Sequence, residues 1–160
     1  MKYLVFSDSH GTTDDMLRIM QTQPHDAVIH LGDINADVYK LRRMCFQETI
    51  CAVIGNNDWF CDDIPKQIIL PCRGKKIFLC HGHIYRVKAG TDLLAAEAKK
   101  NECDAALFGH THSPCIKMEQ NLLLLNPGSI TYSGTYALLE INGAGIQAAI
   151  YDKRSGEQIL

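Results

Sequence analysis

Tyr3-Leu4-Val5-Phe6-Ser7-Asp8-Ser9-His10 opens the chain with a short apolar run that ends in a carboxylate and an imidazole two positions apart. The run, Lys2 to Ser7, has the length and composition of a strand. The same sequence of events recurs four times. Ala27-Val28-Ile29 runs into Gly32-Asp33, and Ala52-Val53-Ile54 into Gly55-Asn56-Asn57-Asp58. Ile77-Phe78-Leu79 runs into His81-Gly82-His83, and Ala106-Leu107-Phe108 into Gly109-His110-Thr111-His112. Each apolar run thus discharges into residues that bind metals. In an α/β sheet the carboxyl ends of the strands share one rim, where such folds place ligands. Residues as distant in sequence as Asp8 and His112 are therefore expected to meet.

Between the runs lie segments of helical period: Thr13 to Gln21, opened by Thr12 or Thr13 as N-cap, Ala36 to Phe46, and Thr91 to Glu102, opened by Thr91 and Asp92. Asp26 to Leu31 and Thr49 to Ile54 read as the second and third strands, and the alternation predicts parallel strands joined by crossover helices. Ile64 to Leu70 and Lys75 to Cys80 flank Pro71-Cys72-Arg73-Gly74 as a hairpin. Ala105 to Phe108, Cys115 to Met118 and Leu122 to Leu125 follow as strands. Tyr136 to Ile141 and Ile146 to Tyr151 close the chain as a hairpin around Asn142-Gly143-Ala144-Gly145. The class is α/β with an antiparallel finish, and with no repeat, linker or low-complexity tract, residues 1–160 read as one domain.

Composition narrows the function. The chain has 160 residues, 46% hydrophobic and 21% charged, enough to bury roughly 68–70% of its unfolded surface without a structural metal; a metal here would serve chemistry. Sixteen Lys and Arg against eighteen Asp and Glu, with no basic block, argue against a stable nucleic-acid partner. No apolar run is long enough for a membrane helix or a signal core, so a cytoplasmic protein without a membrane partner is expected. The seven cysteines are odd in number, dispersed and free of any C-x-x-C pair, the usage of a reducing compartment.

Five of the seven histidines (His10, His81, His83, His110 and His112) fall in the strand-end segments. Gly11, Gly32, Gly55, Gly82 and Gly109 beside them allow sharp turns and close approach to an ion. Imidazole with carboxylate and no required thiolate suits Mn²⁺ foremost, with Ni²⁺, Fe²⁺, Co²⁺ or Zn²⁺ also fitting. Asp8, His10, Asp33, Asn56, His81, His110 and His112 are more ligands than one catalytic ion takes, which implies two divalent ions. In an extended segment His110 and His112 would project to one side about 6–7 Å apart and serve one ion each. Two carboxylates against two divalent ions and a bridging hydroxide leave a charge of +1, which matches a phosphodiester monoanion; such a pair activates hydroxide for in-line displacement at phosphorus.

The blocks D-x-H, G-D, G-N-x-D, H and G-H-x-H, in this order from Asp8 to His112, resemble the calcineurin-like metallophosphoesterase superfamily; Asn126-Pro127-Gly128-Ser129 is similar to a segment of its small members. In size and spacing the chain resembles the compact single-domain bacterial and archaeal phosphodiesterases. The resemblance implies two packed β-sheets flanked by helices, a four-layer α-β-β-α sandwich. It also implies one ion on Asp8, His10 and His112, another on Asn56, His81 and His110, and Asp33 bridging them. Much of the superfamily has His in the G-N-H-D block, where it protonates the leaving group or holds the phosphate. Asn57 stands there in this chain and is the candidate catalytic residue. Asp58 is expected to anchor its loop or orient a ligand, and His83 to support the site from outside the ligand set, touch substrate or sit in a solvated turn.

The expected partner is a small phosphoester, with a homo-oligomer allowed and substrate contacts drawn from residues 59–64 and 84–90. Arg86, Lys88 and Arg154 are candidate neighbours of the substrate. His30, inside an apolar strand, reads as a buried hydrogen-bonded histidine, and Cys80 as strand core. A rival class is a catalytically weak protein-binding scaffold, as in the retromer subunit that shares the small fold with degraded metal motifs; here no ligand position is lost. Another dinuclear metallohydrolase, such as an amidohydrolase, would share the ligand types but not this order of blocks.

Overall fold

The computed structural model describes residues 1–59 and 61–160; Phe60, within the segment expected to touch substrate, lies outside the described residues. The elements run β1 (Lys2–Phe6), α1 (Thr13–Thr22), β2 (Ala27–His30), α2 (Asn35–Met44), β3 (Ile50–Ala52), β4 (Gln67–Cys72) and β5 (Lys75–Cys80). They continue as α3 (Asp92–Lys100), β6 (Ala105–Leu107), β7 (Cys115–Glu119), β8 (Leu122–Asn126), β9 (Thr135–Asn142) and β10 (Gly145–Asp152). One sheet has the order β10-β9-β1-β2-β3 and the other β4-β5-β6-β8-β7. β1, β2 and β3 are parallel, as are β5, β6 and β8, and the remaining pairings are antiparallel.

Strand alternation sorts the apolar side chains into layers. Tyr3, Val5 and Ile29 of the first sheet pack against Ile77, Leu79, Leu107 and Leu125 of the second, forming the central core. Leu4, Phe6 and Val28 point the other way, onto Met16, Ile19 and Met20 of α1 and Val38 and Leu41 of α2. Phe78, Cys80, Ala106 and Leu124 meet Leu94, Ala95 and Ala98 of α3. Each fully buried large side chain contributes roughly 1.5–3 kcal/mol by leaving water. The result is the expected α-β-β-α sandwich. Acidic residues open the helices (Asp14 and Asp15, Asp37, Asp92), and basic pairs close α2 and α3 (Arg42 and Arg43, Lys99 and Lys100), in accord with the helix dipole. No helix of the described residues is long and apolar enough to cross a membrane.

Some expectations need correction. Neither Thr12 nor Thr91 makes a side-chain cap; the Thr12 hydroxyl meets Thr131 and the Thr13 hydroxyl donates to Asp37 at 3.0 Å, so tertiary bonds take the place of local ones. β4 starts at Gln67 and not Ile64, because Ile64 turns into the α1–α2 core and its N–H is held by Cys61 O at 3.3 Å. The single helical turn His83–Tyr85, which the sequence reading passes over, follows β5. His30 is fully buried, with Nε2 3.1 Å from Ser9 Oγ, and Cys80 is buried in β5, both as expected.

Candidate metal centre

The carboxyl ends of β1, β2 and β3 in one sheet and of β5 and β6 in the other converge. There they place Asp8, His10 and His112 in one group and Asp8, Asp33 and His81 in a second, with one ligand atom from each residue within 4.8 Å of the others in its group. His112 Nε2 lies 3.2 Å from Asp8 Oδ1, and His81 Nε2 lies 3.8 Å from that oxygen and 3.6 Å from Asp33 Oδ2. His110 joins neither group, but its ring centroid is 5.1 Å from that of His81. Asn56 is exposed, and its side chain forms no hydrogen bond among the described residues.

The backbone at this rim is unusual. Asp8, His10, Asp33, His110 and His112 all adopt left-handed conformations, with φ of 53°, 42°, 50°, 65° and 59°. Such conformations cost energy outside glycine and persist where the surroundings over-determine them. They also correct the extended geometry expected for His110 and His112: the segment is a turn, closed by Thr111 N–H donating to Gly109 O at 2.7 Å. Two glycines serve by lacking a side chain. A Cβ on Gly55 would fall 1.9 Å from Asp33 Oδ1, and one on Gly109 would fall 1.9 Å from Ser7 Oγ and 2.8 Å from Asp8 Oδ2.

A dense set of hydrogen bonds holds the ligands. Asp8 Oδ2 accepts from Ser7 Oγ at 2.5 Å and from His110 N–H at 3.1 Å, leaving Oδ1 for the site. His81 Nδ1 pairs with Leu31 O at 2.7 Å, which turns Nε2 inward. Asp58 behaves as an anchor: Oδ2 accepts from the N–H groups of Asp33 and Gly55, at 3.0 and 2.7 Å, and Oδ1 from Asn35 N–H at 2.6 Å. Asn57 gives its backbone N–H to Asp33 Oδ1 at 3.0 Å and its amide Nδ2 to Asp33 Oδ2 at 2.6 Å. The rings of His81 and His83 lie with centroids 5.5 Å apart, beside the ligand set.

Other contributors lie outside the ligand blocks, and one of them escapes a linear reading. Asp37 of α2 accepts from Ser9 Oγ and Gly11 N–H, each at 2.7 Å, and so holds the Asp8–His10 loop. Ser129 Oγ donates to Asp8 O at 2.8 Å, while Asn126 Nδ2 donates to Gly109 O at 3.0 Å. The Asn-Pro-Gly-Ser segment thereby joins the first and last ligand loops, and its turn residues were the signal that could point to it. Asp37 offers no such signal.

Electrostatics test whether these residues fit a cation. Asp8 Oδ1, His10 Nε2 and His81 Nε2 are buried and have no hydrogen-bond partner, an arrangement that is costly unless a ligand completes it. Burial, reinforced by the Asp33 charge, pushes the Asp8 carboxyl up to about 6, and burial pulls His81 well below the usual imidazole range. His110 and His112 are lowered too, by burial first and by the charge of Lys88 second. Neutral imidazoles around under-compensated carboxylates are the donor set that a divalent metal ion requires. Arg86 is exposed, and the Arg154 backbone N–H donates to Asp152 Oδ1 at 2.8 Å.

Comparisons with known proteins agree with this chemistry. The model of the calcineurin-like phosphoesterase superfamily domain matches residues 1–144. The Bacillus subtilis (strain 168) protein named "Probable metallophosphoesterase YsnB" is 28% identical over 164 residues, covering 98% of this chain and 94% of that one. Phosphodiesterase MJ0936 of Methanocaldococcus jannaschii is 26% identical over 145 residues, covering 80% and 83%. A crystal structure of the Vps29 single mutant D62A from Entamoeba histolytica superposes with a TM-score of 0.80 at 26% identity, covering 99% of this chain and 98% of that one.

Proposed function

The chain belongs to the calcineurin-like phosphoesterase superfamily, and from that membership we propose that it is a hydrolase of small phosphodiesters that works with two divalent transition-metal ions, Mn²⁺ foremost. The observation that carries the reading is the pair of ligand groups sharing Asp8, whose members Asp8, His10 and His81 carry buried, unpartnered atoms. Asp8, His10 and His112 would hold one ion, and Asp33 and His81, with His110 and Asn56 from the same rim, the other. When bound, such ions lower the pKa of water, orient a phosphate and offset charge on the attacking and leaving oxygens.

The protein's own groups act around that chemistry. Asp33 is fixed by two N–H donors of Asn57, so its carboxylate cannot rotate freely. Lys88, whose charge reaches both His110 and His112, favours an anion at the mouth. Relatives named phosphodiesterases support a diester over a monoester. The seven free cysteines suit action in the cytoplasm.

A scaffold role has the Vps29 likeness in its favour. Against it stands a ligand set with no position replaced by a non-ligating residue. A screen of the purified protein with Mn²⁺, Ni²⁺, Co²⁺, Fe²⁺ and Zn²⁺ against diesters, cyclic nucleotides, monoesters and pyrophosphates decides between them. Metal-dependent turnover highest on diesters supports the proposal. No turnover with any metal and substrate overturns it.

A further inference from the structure

Metal-binding histidines usually donate their outer ring nitrogen to a carbonyl or carboxylate, which fixes the ring and its tautomer. His81 obeys, through Leu31 O at 2.7 Å. His10 and His112 do not: among the described residues neither ring is tied by a hydrogen bond on its outer side. Another side chain packs on both. The ring of Tyr132 lies flat on His112, with centroids 4.9 Å apart and an interplanar angle of 11°, and meets His10 edge-on at 5.2 Å and 63°. The two imidazoles are themselves edge-on at 5.8 Å, so three rings form one cluster against Asp8.

Tyr132 is 65% exposed, so core burial does not account for where it sits. Its backbone does. Tyr132 N–H donates to Ser129 Oγ at 2.9 Å, and that hydroxyl donates to Asp8 O at 2.8 Å. Ser133 Oγ accepts from Ser129 N–H at 2.8 Å, and the neighbouring Thr131 hydroxyl bonds Ser9 O. The phenol is thus indexed to the loop that carries Asp8 and His10.

Resting on the two-ion reading, we infer that Tyr132 is a positioning residue for one ion only, its ring standing in for the missing outer hydrogen bonds of His10 and His112. An aromatic plane against two imidazoles restricts their rotation as a hydrogen bond would. The group formed by Asp8, Asp33 and His81 has its own anchor and does not depend on Tyr132.

The test titrates Mn²⁺ into chelator-stripped protein, with bound metal counted and affinities measured by calorimetry, for the native chain, Tyr132→Phe and Tyr132→Ala. The native chain and Tyr132→Phe are expected to take two ions alike. Tyr132→Ala is expected to keep one ion at native affinity and bind the other about 10–100-fold more weakly. A metal-free readout accompanies this: the carbon-bound ring protons of His112 feel the ring current of residue 132, so their NMR shifts stay in Tyr132→Phe and move in Tyr132→Ala. Native affinity for both ions in Tyr132→Ala, equal weakening of both, or Tyr132→Phe behaving as Tyr132→Ala overturns the inference. If the native chain itself takes one ion, the two-ion reading fails. The positioning role then falls too if Tyr132→Ala leaves that ion's affinity and the His112 shifts unchanged.

Discussion

Asn57 grips Asp33 by both oxygens, its backbone N–H on Oδ1 at 3.0 Å and its side-chain Nδ2 on Oδ2 at 2.6 Å. An amide so placed donates hydrogen bonds but has no proton to give a departing alkoxide. A positioned general acid is worth about 10²–10⁴-fold with basic leaving groups. The protein is therefore expected to favour nitrophenyl over alkyl phosphodiesters, with rates that fall steeply as leaving-group pKa rises. Asn57→His should flatten that dependence at saturating metal. Equal slopes in the two proteins, both folded and metal-loaded, would show that position 57 is not beside the leaving oxygen.

Asp33→Asn removes one of the two carboxylates from the ligand set. Loss of several kcal/mol of charge stabilisation should lower diester hydrolysis by roughly 10²-fold or more and weaken metal binding. A variant that binds two ions and turns over normally would refute the assignment of Asp33 as a metal ligand.

Metal removal and pH act through Asp8. Its carboxyl titrates near 6 in the folded protein, against 3.8 for the ordinary group, so protons compete for the ligand and Mn²⁺ affinity should drop as pH falls below about 6. In chelated protein the folded state binds more protons between these values, so Asp8 contributes stability that is lost as pH rises from about 4 through about 6. The change amounts to about 3 kcal/mol. Denaturant midpoints of native and Asp8→Asn protein across that range should diverge accordingly; parallel curves would remove Asp8 as the cause. Chelation itself should abolish turnover yet leave a cooperative fold, since the three apolar clusters do not involve the ligands.

Gly109→Ala would push a methyl group into Ser7 and Asp8. A cost of about 1–3 kcal/mol is expected from overpacking, together with weaker metal binding because Asp8 must shift. Gly143→Ala, where nothing lies within 4 Å, serves as the neutral control in thermal melts. Equal melting temperatures for the two variants would contradict the close approach.

The strands, helices and ligand blocks were legible in the sequence because each rests on local pattern: apolar runs of strand length, helical period, and polar residues at strand ends. What stayed hidden depends on partners far along the chain. Asp37 is 28 residues from Ser9 in sequence, and nothing within α2 marks it as different from a solvated first-turn acid. Tyr132 follows a recognisable turn, yet its stacking on His112 exists only once β6 and β8 are neighbours. The expected cap of α1 failed for the same reason, since the Thr12 and Thr13 hydroxyls are taken by the distant residues Thr131 and Asp37. The bent His110–His112 segment shows a different limit: its left-handed residues go against local preference and are set by the site as a whole.

Asp8, His10 and Asp33 follow strands of one sheet, whereas His81, His110 and His112 follow strands of the other. An ion held by Asp8 and His112, or by Asp33 and His81, would therefore rivet two layers that are otherwise held together by their greasy inner faces and by the hydrogen bonds of the rim. Pulling on the two sheets in opposite directions would load those coordination bonds in shear, and the metal-bound protein should rupture at higher force than the stripped one.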